Sequence, residues 1–204
     1  LTKIEGLNID PIIINELKIV ARKLEESGWV VEEPRAPNFQ EAANFQATLW
    51  LGEFRRTGGE AISRENDPDA NFIYSQMSKR CPDTSIEKFM DSLQHRGRIS
   101  REWNKFFDKY PLILCPITGD IPFPDLKDLE SEESFDLVFD SMLPLIAPPY
   151  MGLPGLSFAT SQTKQNIPLG VQFISRKFRE DLLLNVAYDL ENYYPKIKPV
   201  LPSF

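Results

Sequence analysis

Apolar residues recur at Ile13, Leu17, Val20 and Leu24, at gaps of 4, 3 and 4, and so mark one face of an amphipathic helix. Asp10-Pro11 supplies its start, a capping carboxylate followed by proline at the first helical position. Gly28 ends it, and the apolar run Trp29-Val30-Val31 predicts a short buried strand. A second helix is predicted over residues 39–62, with Trp50 and Phe54 on its apolar side. Residues 64–70 are polar, contain Pro68, and read as a mobile loop.

Thr84-Ser85-Ile86-Glu87 has the pattern of a capping box, in which Thr84 and Glu87 satisfy two free backbone donors. Behind it Ile86, Met90 and Leu93 mark an apolar face; Gly97 interrupts it, and Ile99, Trp103 and Phe106 resume. Leu112–Cys115 is a continuous apolar run too short for a helix, hence a buried strand. Pro116, Pro122 and Pro124 then force an irregular excursion up to Ser134. A helix follows over 135–145, and the proline and glycine of 144–155 read as loop. Residues 156–160 and 169–174 read as two strands joined by a polar link, and 179–193 as a last helix with Leu183, Val186 and Leu190 on one face. This alternation predicts an α/β fold with a mixed β-sheet flanked by helices. The strands are few and apolar on consecutive positions, so they call for neighbours on both sides. No repeat and no internal boundary divides residues 1–204.

Composition narrows the class. A hydrophobic share of 42% and a charged share of 26% are ordinary globular usage. The net charge of −7 disfavours nucleic acid and anionic membrane surfaces as partners. Arg96, Arg98 and Arg101 are the densest basic group, and they read as a solvated helix face. No apolar run approaches the roughly 18 residues of a membrane span. Cys81 and Cys115, the only cysteines, do not make a disulfide framework, which points to a reducing, cytoplasmic setting. The chain opens on Leu1 and leads straight into a helix-start signal, so an upstream segment is expected to have been removed.

Candidate chemistry is sparse. His95 is the single histidine, with no cluster of ligands around it, so neither a metal nor a cofactor is expected. Asp67-Pro68-Asp69-Ala70-Asn71 superficially follows a calcium loop, but Phe72 and Ser78 stand where that loop needs glycine and glutamate. Gly155-Leu156-Ser157-Phe158-Ala159 is one residue from a nucleophile elbow, yet no histidine follows it. Ser161 and Lys164 have the spacing of a serine–lysine pair but fall in a hairpin link, where that spacing does not bring them together. The acidic residues of 125–133 form a charged loop. No complete catalytic site emerges from the residues themselves.

Several segments together resemble one family. The passage 85–124, with Trp103, Phe106-Phe107, Lys109-Tyr110 and Leu112-Ile113-Leu114-Cys115-Pro116, is similar to the helix–strand–proline passage of amidase-signature hydrolases. Gly152-Leu153-Pro154-Gly155-Leu156-Ser157, followed by Ile167-Pro168-Leu169-Gly170-Val171-Gln172, resembles that family's late glycine–proline loop and Gly-Val-Gln strand. Glu180-Asp181-Leu182-Leu183-Leu184 resembles the start of its final helix, and residues 10–33 resemble the segment after its catalytic half. Pro149 stands where many members have asparagine, and Ala159 where many have proline.

The resemblance implies the C-terminal portion of a single amidase-signature domain, in an enzyme hydrolysing a small-molecule amide. The family's serine nucleophile, cis-peptide serine and lysine belong to the N-terminal half, so no catalytic residue carries over and the isolated chain is expected to be inactive. It implies substrate-lining positions at Thr118, Met151 and Gly152. The expected partner is the missing half or a second copy. The alternative is a non-catalytic homologue or interaction module that binds through an exposed sheet edge.

Overall fold

The Asp10 carboxylate accepts from the Ile12 amide at 2.7 Å, and Pro11 opens helix α1 (Pro11–Glu26), whose Ile13, Leu17, Val20 and Leu24 are buried as their spacing requires. The structure, a computed structural model, describes residues 1–194. Gly28, at φ +92°, ends the helix in a backbone conformation that side chains resist. Trp29-Val30-Val31 is not a strand: no partner strand lies beside it among the described residues, and Val30 is 89% exposed. Trp29 is held instead by its ring nitrogen, which donates to Asp189 at 2.9 Å.

Helix α2 (Phe39–Thr57) is capped by Asn38 and stops at Gly58, where the Phe54 ring occupies the space of a Cβ. The helix expected over 39–62 is therefore two, α2 and the short α3 (Gly59–Glu65). Trp50 is half-exposed instead of packed in the core. The loop expected over 64–70 is the end of α3 and the start of α4 (Pro68–Arg80). Asp67 accepts from the amides of Asp69 and Ala70 ahead of Pro68, the same cap-and-proline device as Asp10-Pro11.

Helix α5 (Ile86–Lys109) is capped by Ser85, which accepts from Lys88, so the start lies one residue past the Thr84 box. It runs unbroken through Gly97. Its buried face is Ser92, Ile99, Trp103 and Phe107, while Ile86, Met90 and Leu93 are exposed. At about 100° per residue, Ile86 and Ile99 lie about 220° apart, so the two apolar stripes occupy different faces.

Strand β1 (Leu112–Cys115) is followed by the proline-rich excursion, a 3-10 turn (Lys127–Leu129) and helix α6 (Glu132–Ser141). The segment read as loop after residue 144 is helix α7 (Leu143–Met151), with Pro148 and Pro149 inside it. Proline lacks the amide that would reach the carbonyl four residues back. The Pro144 carbonyl, left open by Pro148, accepts from the Gln172 side chain at 3.1 Å. Gly152, at φ +65°, closes the helix, its amide and that of Leu153 donating to the carbonyls of Pro149 and Pro148.

β2 (Gly155–Gln162), β3 (Pro168–Ser175) and helix α8 (Glu180–Glu191) complete the described chain. The three strands are ordered β1-β3-β2 and pair antiparallel, Cys115 opposite Gln172 and Ser157 opposite Gln172 on the other side. One face of the sheet, through Val171 and Phe173, packs on α1 and α8. The other, through Ile113, Cys115 and Ile174, packs on α2, α5 and α7, where Phe39 meets Trp103 edge-on at 4.7 Å. The α/β class expected from the alternation of elements is the observed one.

Candidate functional site

The α2–α7 contact opens on its outer side into a cleft of about 350 Å³, closed by residues 81–84 and by α6. Leu143 and Ile146 of α7 form its apolar floor, and Trp50 gives it an aromatic wall. Gln40, Asn44 and Thr48, one helical turn apart on α2, bring polar atoms to it. The Gln40 side-chain amide donates to Asn44 Oδ1 at 2.9 Å, which orients both groups. Cys81 Sγ stands 3.8 Å from Thr48 Oγ1, and the Cys81 carbonyl accepts from Arg55. Arg80 bridges Asp136 and Asp140 of α6 while lying over the Phe139 ring at 4.6 Å, and so ties α4 to α6 at the cleft mouth.

This arrangement suits binding better than bond cleavage. Apolar floor, aromatic wall and a few amide and hydroxyl groups are what hold a small molecule in a pocket. A nucleophile with a base beside it is missing from the cleft's described walls. His95 lies elsewhere, its ring stacked on Phe45 at 4.9 Å between centroids. No cluster of three or more His, Cys, Asp or Glu that could hold a metal occurs among the described residues. Arg98 is engaged by Glu41 and Glu102, and Arg96 lies over the Tyr150 ring, so the three arginines do not converge on one anion.

Thr118 follows β1, and its hydroxyl donates to the Asp120 carbonyl at 2.8 Å. Met151 is fully buried in the core against the sheet, and Gly152 is exposed at the end of α7 beside Lys177. Because Cys115 pairs with Gln172 and Gly155 with Ile174, Thr118 and Gly152 lie past opposite ends of the strands. Neither residue, nor Met151, lines the cleft, although Met151 and Gly152 sit at the far end of the helix that floors it. Asn44, Thr48 and Cys81 escape a reading of the sequence because they meet only when α2 packs against the end of α4. The Asp67-Pro68 cap was the available signal for α4.

Ser161 and Lys164 are both exposed, and no hydrogen bond joins them among the described residues. A second cleft, of about 510 Å³, runs beside β1 between Trp29-Val30-Val31 and Leu112-Ile113-Leu114. There the strand's outer edge has no strand partner among the described residues. Burial pushes the Cys115 thiol, on this strand, up to about 11. No described helix is long and apolar enough to cross a membrane.

A family model described as Amidase matches residues 2–184. The indoleacetamide hydrolase of Bradyrhizobium diazoefficiens is 26% identical over 189 residues, 92% of this chain and 36% of that protein. The 6-aminohexanoate-cyclic-dimer hydrolase of Paenarthrobacter ureafaciens is 29% identical over 150 residues, 67% of this chain and 30% of that protein. A solved structure of 6-aminohexanoate cyclic dimer hydrolase superposes with a TM-score of 0.73 at 18% identity, over 92% of this chain and 42% of that one. The chain thus spans well under half the length of the relatives it matches.

Proposed function

The chain belongs to the amidase family, and we propose that it is the C-terminal, substrate-shaping portion of an enzyme that hydrolyses the C–N bond of a small amide. One observation carries this reading: a family match across residues 2–184 in a chain that spans 36% of a related amide hydrolase. In this reading residues 1–204 are part of a single domain, and the family's two serines and lysine lie in the portion this chain does not span. Amide hydrolysis needs about 8 kcal/mol or more of barrier reduction, supplied largely by a positioned nucleophile, its base and an oxyanion hole. None of these is assigned to a residue here, so the isolated chain is inactive.

Its contribution is the shape of the pocket. Asn44 and Thr48 bring polar groups to the α2–α7 cleft, while Thr118 past β1 and Gly152 with Met151 at the end of α7 are separate contact positions outside it. The partner is the remaining half, seated against the open edge of β1, or failing that a second copy. On that edge the Leu114 carbonyl accepts from the Leu1 amine; any other backbone donor or acceptor left buried and unpaired there costs about 1–3 kcal/mol, which favours a strand on it. The free thiols of Cys81 and Cys115 suit a reducing, cytoplasmic setting. The open edge also accommodates the rival reading, a non-catalytic interaction module.

Co-expression with the N-terminal portion of a family member tests the proposal. Benzamide or propionamide turnover is expected from the combined protein and not from the 204-residue chain alone. Turnover that co-purifies with the chain alone overturns the inactivity; a combination that binds but never turns over favours the interaction module.

A further inference from the structure

Helix α5 carries, beside its buried face, a second seam whose N-terminal half is exposed. Ile86, Met90, Leu93, Gly97, Ser100 and Asn104 follow one another at gaps of 4, 3, 4, 3 and 4. That is the repeat by which two helices keep one face in contact. Ile86 is 70% exposed, Met90 48% and Leu93 39%, and Gly97 is exposed as well. Three large apolar side chains in a row on one exposed helix face call for a cover.

We infer that this seam is the contact surface for a second copy of the chain, docked antiparallel about a two-fold axis level with Gln94 and His95. The pairing follows from sizes and charges. With the helices reversed about that point, Leu93 faces Gly97 of the second copy, Met90 faces Ser100 and Ile86 faces Asn104. Every layer then matches a large residue with a smaller one, and the two-fold repeats each match. A Cβ added at Gly97 would meet only the Arg101 guanidinium, at 3.5 Å, so the space there is closed by nothing but a mobile side-chain end.

Charge complementarity supports the same register. Glu87, Gln94 and Arg101 lie along one flank of the seam at seven-residue intervals. In the antiparallel arrangement Glu87 faces Arg101 of the second copy at one end, Arg101 faces Glu87 at the other, and the two Gln94 side chains meet at the axis. In a parallel arrangement this flank would face the one carrying Phe89, Arg96 and Trp103, setting Arg101 against Arg96 and leaving Glu87 without a cation, which disfavours it. Neither Glu87 nor Arg101 has an ion-pair partner among the described residues, unlike Arg98, which is held by Glu41 and Glu102. The opposite flank is already spent within the chain: Phe89 lies against Gly52, Arg96 over Tyr150, and Trp103 in the core. One helix face covers less than the about 800 Å² per partner of a standard stable interface, so the dimer is reversible.

Sedimentation velocity of the full chain across micromolar concentrations tests this surface. A concentration-dependent dimer is expected. Glu87→Arg and Arg101→Glu should each weaken it about tenfold, and the double reversal should restore it to within about threefold. Leu93→Asp should abolish it while leaving the circular dichroism spectrum unchanged, because that side chain is exposed. A monomer at all concentrations overturns the inference. So does association that ignores the charge reversals, which would put the contact on another surface such as the β1 edge, and so does a double reversal without rescue. None of these outcomes depends on amide hydrolysis.

Discussion

Gln172 donates its side-chain amide to the Pro144 carbonyl at 3.1 Å, replacing the backbone donor that Pro148 cannot provide. A strand residue thereby completes a helix that its own sequence leaves incomplete, and it does so while 6% exposed.

Replacing Gln172 with Leu should therefore leave a buried acceptor unpaired and cost about 1–3 kcal/mol. Pro148→Ala restores an amide four residues after Pro144, so in the Gln172→Leu background it should recover part of the loss. Urea melts of the two single variants and the double variant check this. Strictly additive costs would mean that the two residues do not serve the same carbonyl.

Gly152 closes α7 at φ +65°. Gly152→Ala should lower stability by about 1 kcal/mol from backbone strain, and Gly152→Asn by less, since asparagine tolerates the left-handed region. Thermal melts rank the three proteins, and an alanine variant as stable as the parent would contradict this geometry.

Neighbouring hydroxyls on β2 should behave oppositely. Thr160 is buried and donates to Glu16 at 2.8 Å, whereas Ser161, past the bulge in the register, is exposed. Thr160→Val should cost about 1–3 kcal/mol by stranding Glu16. Ser161→Ala should change stability by less than about 0.5 kcal/mol and leave fluorophosphonate labelling unchanged. Loss of labelling in the Ser161 variant would revive it as a nucleophile beside Lys164.

The two thiols should differ in reactivity. Cys115 is fully buried with its pKa raised to about 11, so its neutral form is favoured in the folded state. Its contribution to stability is complete below the unfolded thiol value and is lost as pH rises through about 11. At mildly alkaline pH a thiol reagent should modify half-buried Cys81 and spare Cys115 until denaturant is added. Two fast native thiols would show that the β1 region opens readily.

The local half of the fold is legible in the residues. Asp10-Pro11 and the spacing of Ile13, Leu17, Val20 and Leu24 specify α1, because caps and helical periodicity act within a few residues of one another. Leu112–Cys115 and the Gly-Val-Gln strand are readable for the same reason, and the order of these pieces carries the family. Asp67-Pro68 repeats the Asp10-Pro11 cap, so the start of α4 is as legible in the residues as that of α1.

Other features required the tertiary structure. Pro148 and Pro149 forbid a helix on local grounds, and only a donor from β3, distant in sequence, supports one. Trp29-Val30-Val31 has the composition of a strand, but a strand exists only where another edge pairs with it. On α5 the periodicity locates Ile86, Met90 and Leu93 on one face, yet whether that face meets the core depends on where α2 and α7 pack. The cleft of Asn44, Thr48 and Cys81 is likewise a product of packing. Sequence by itself determines which side chains share a face and where elements start, because those are short-range consequences of covalent geometry and hydrogen bonding. The tertiary structure decides what each face touches, because burial is a property of neighbours that the chain brings together from far apart.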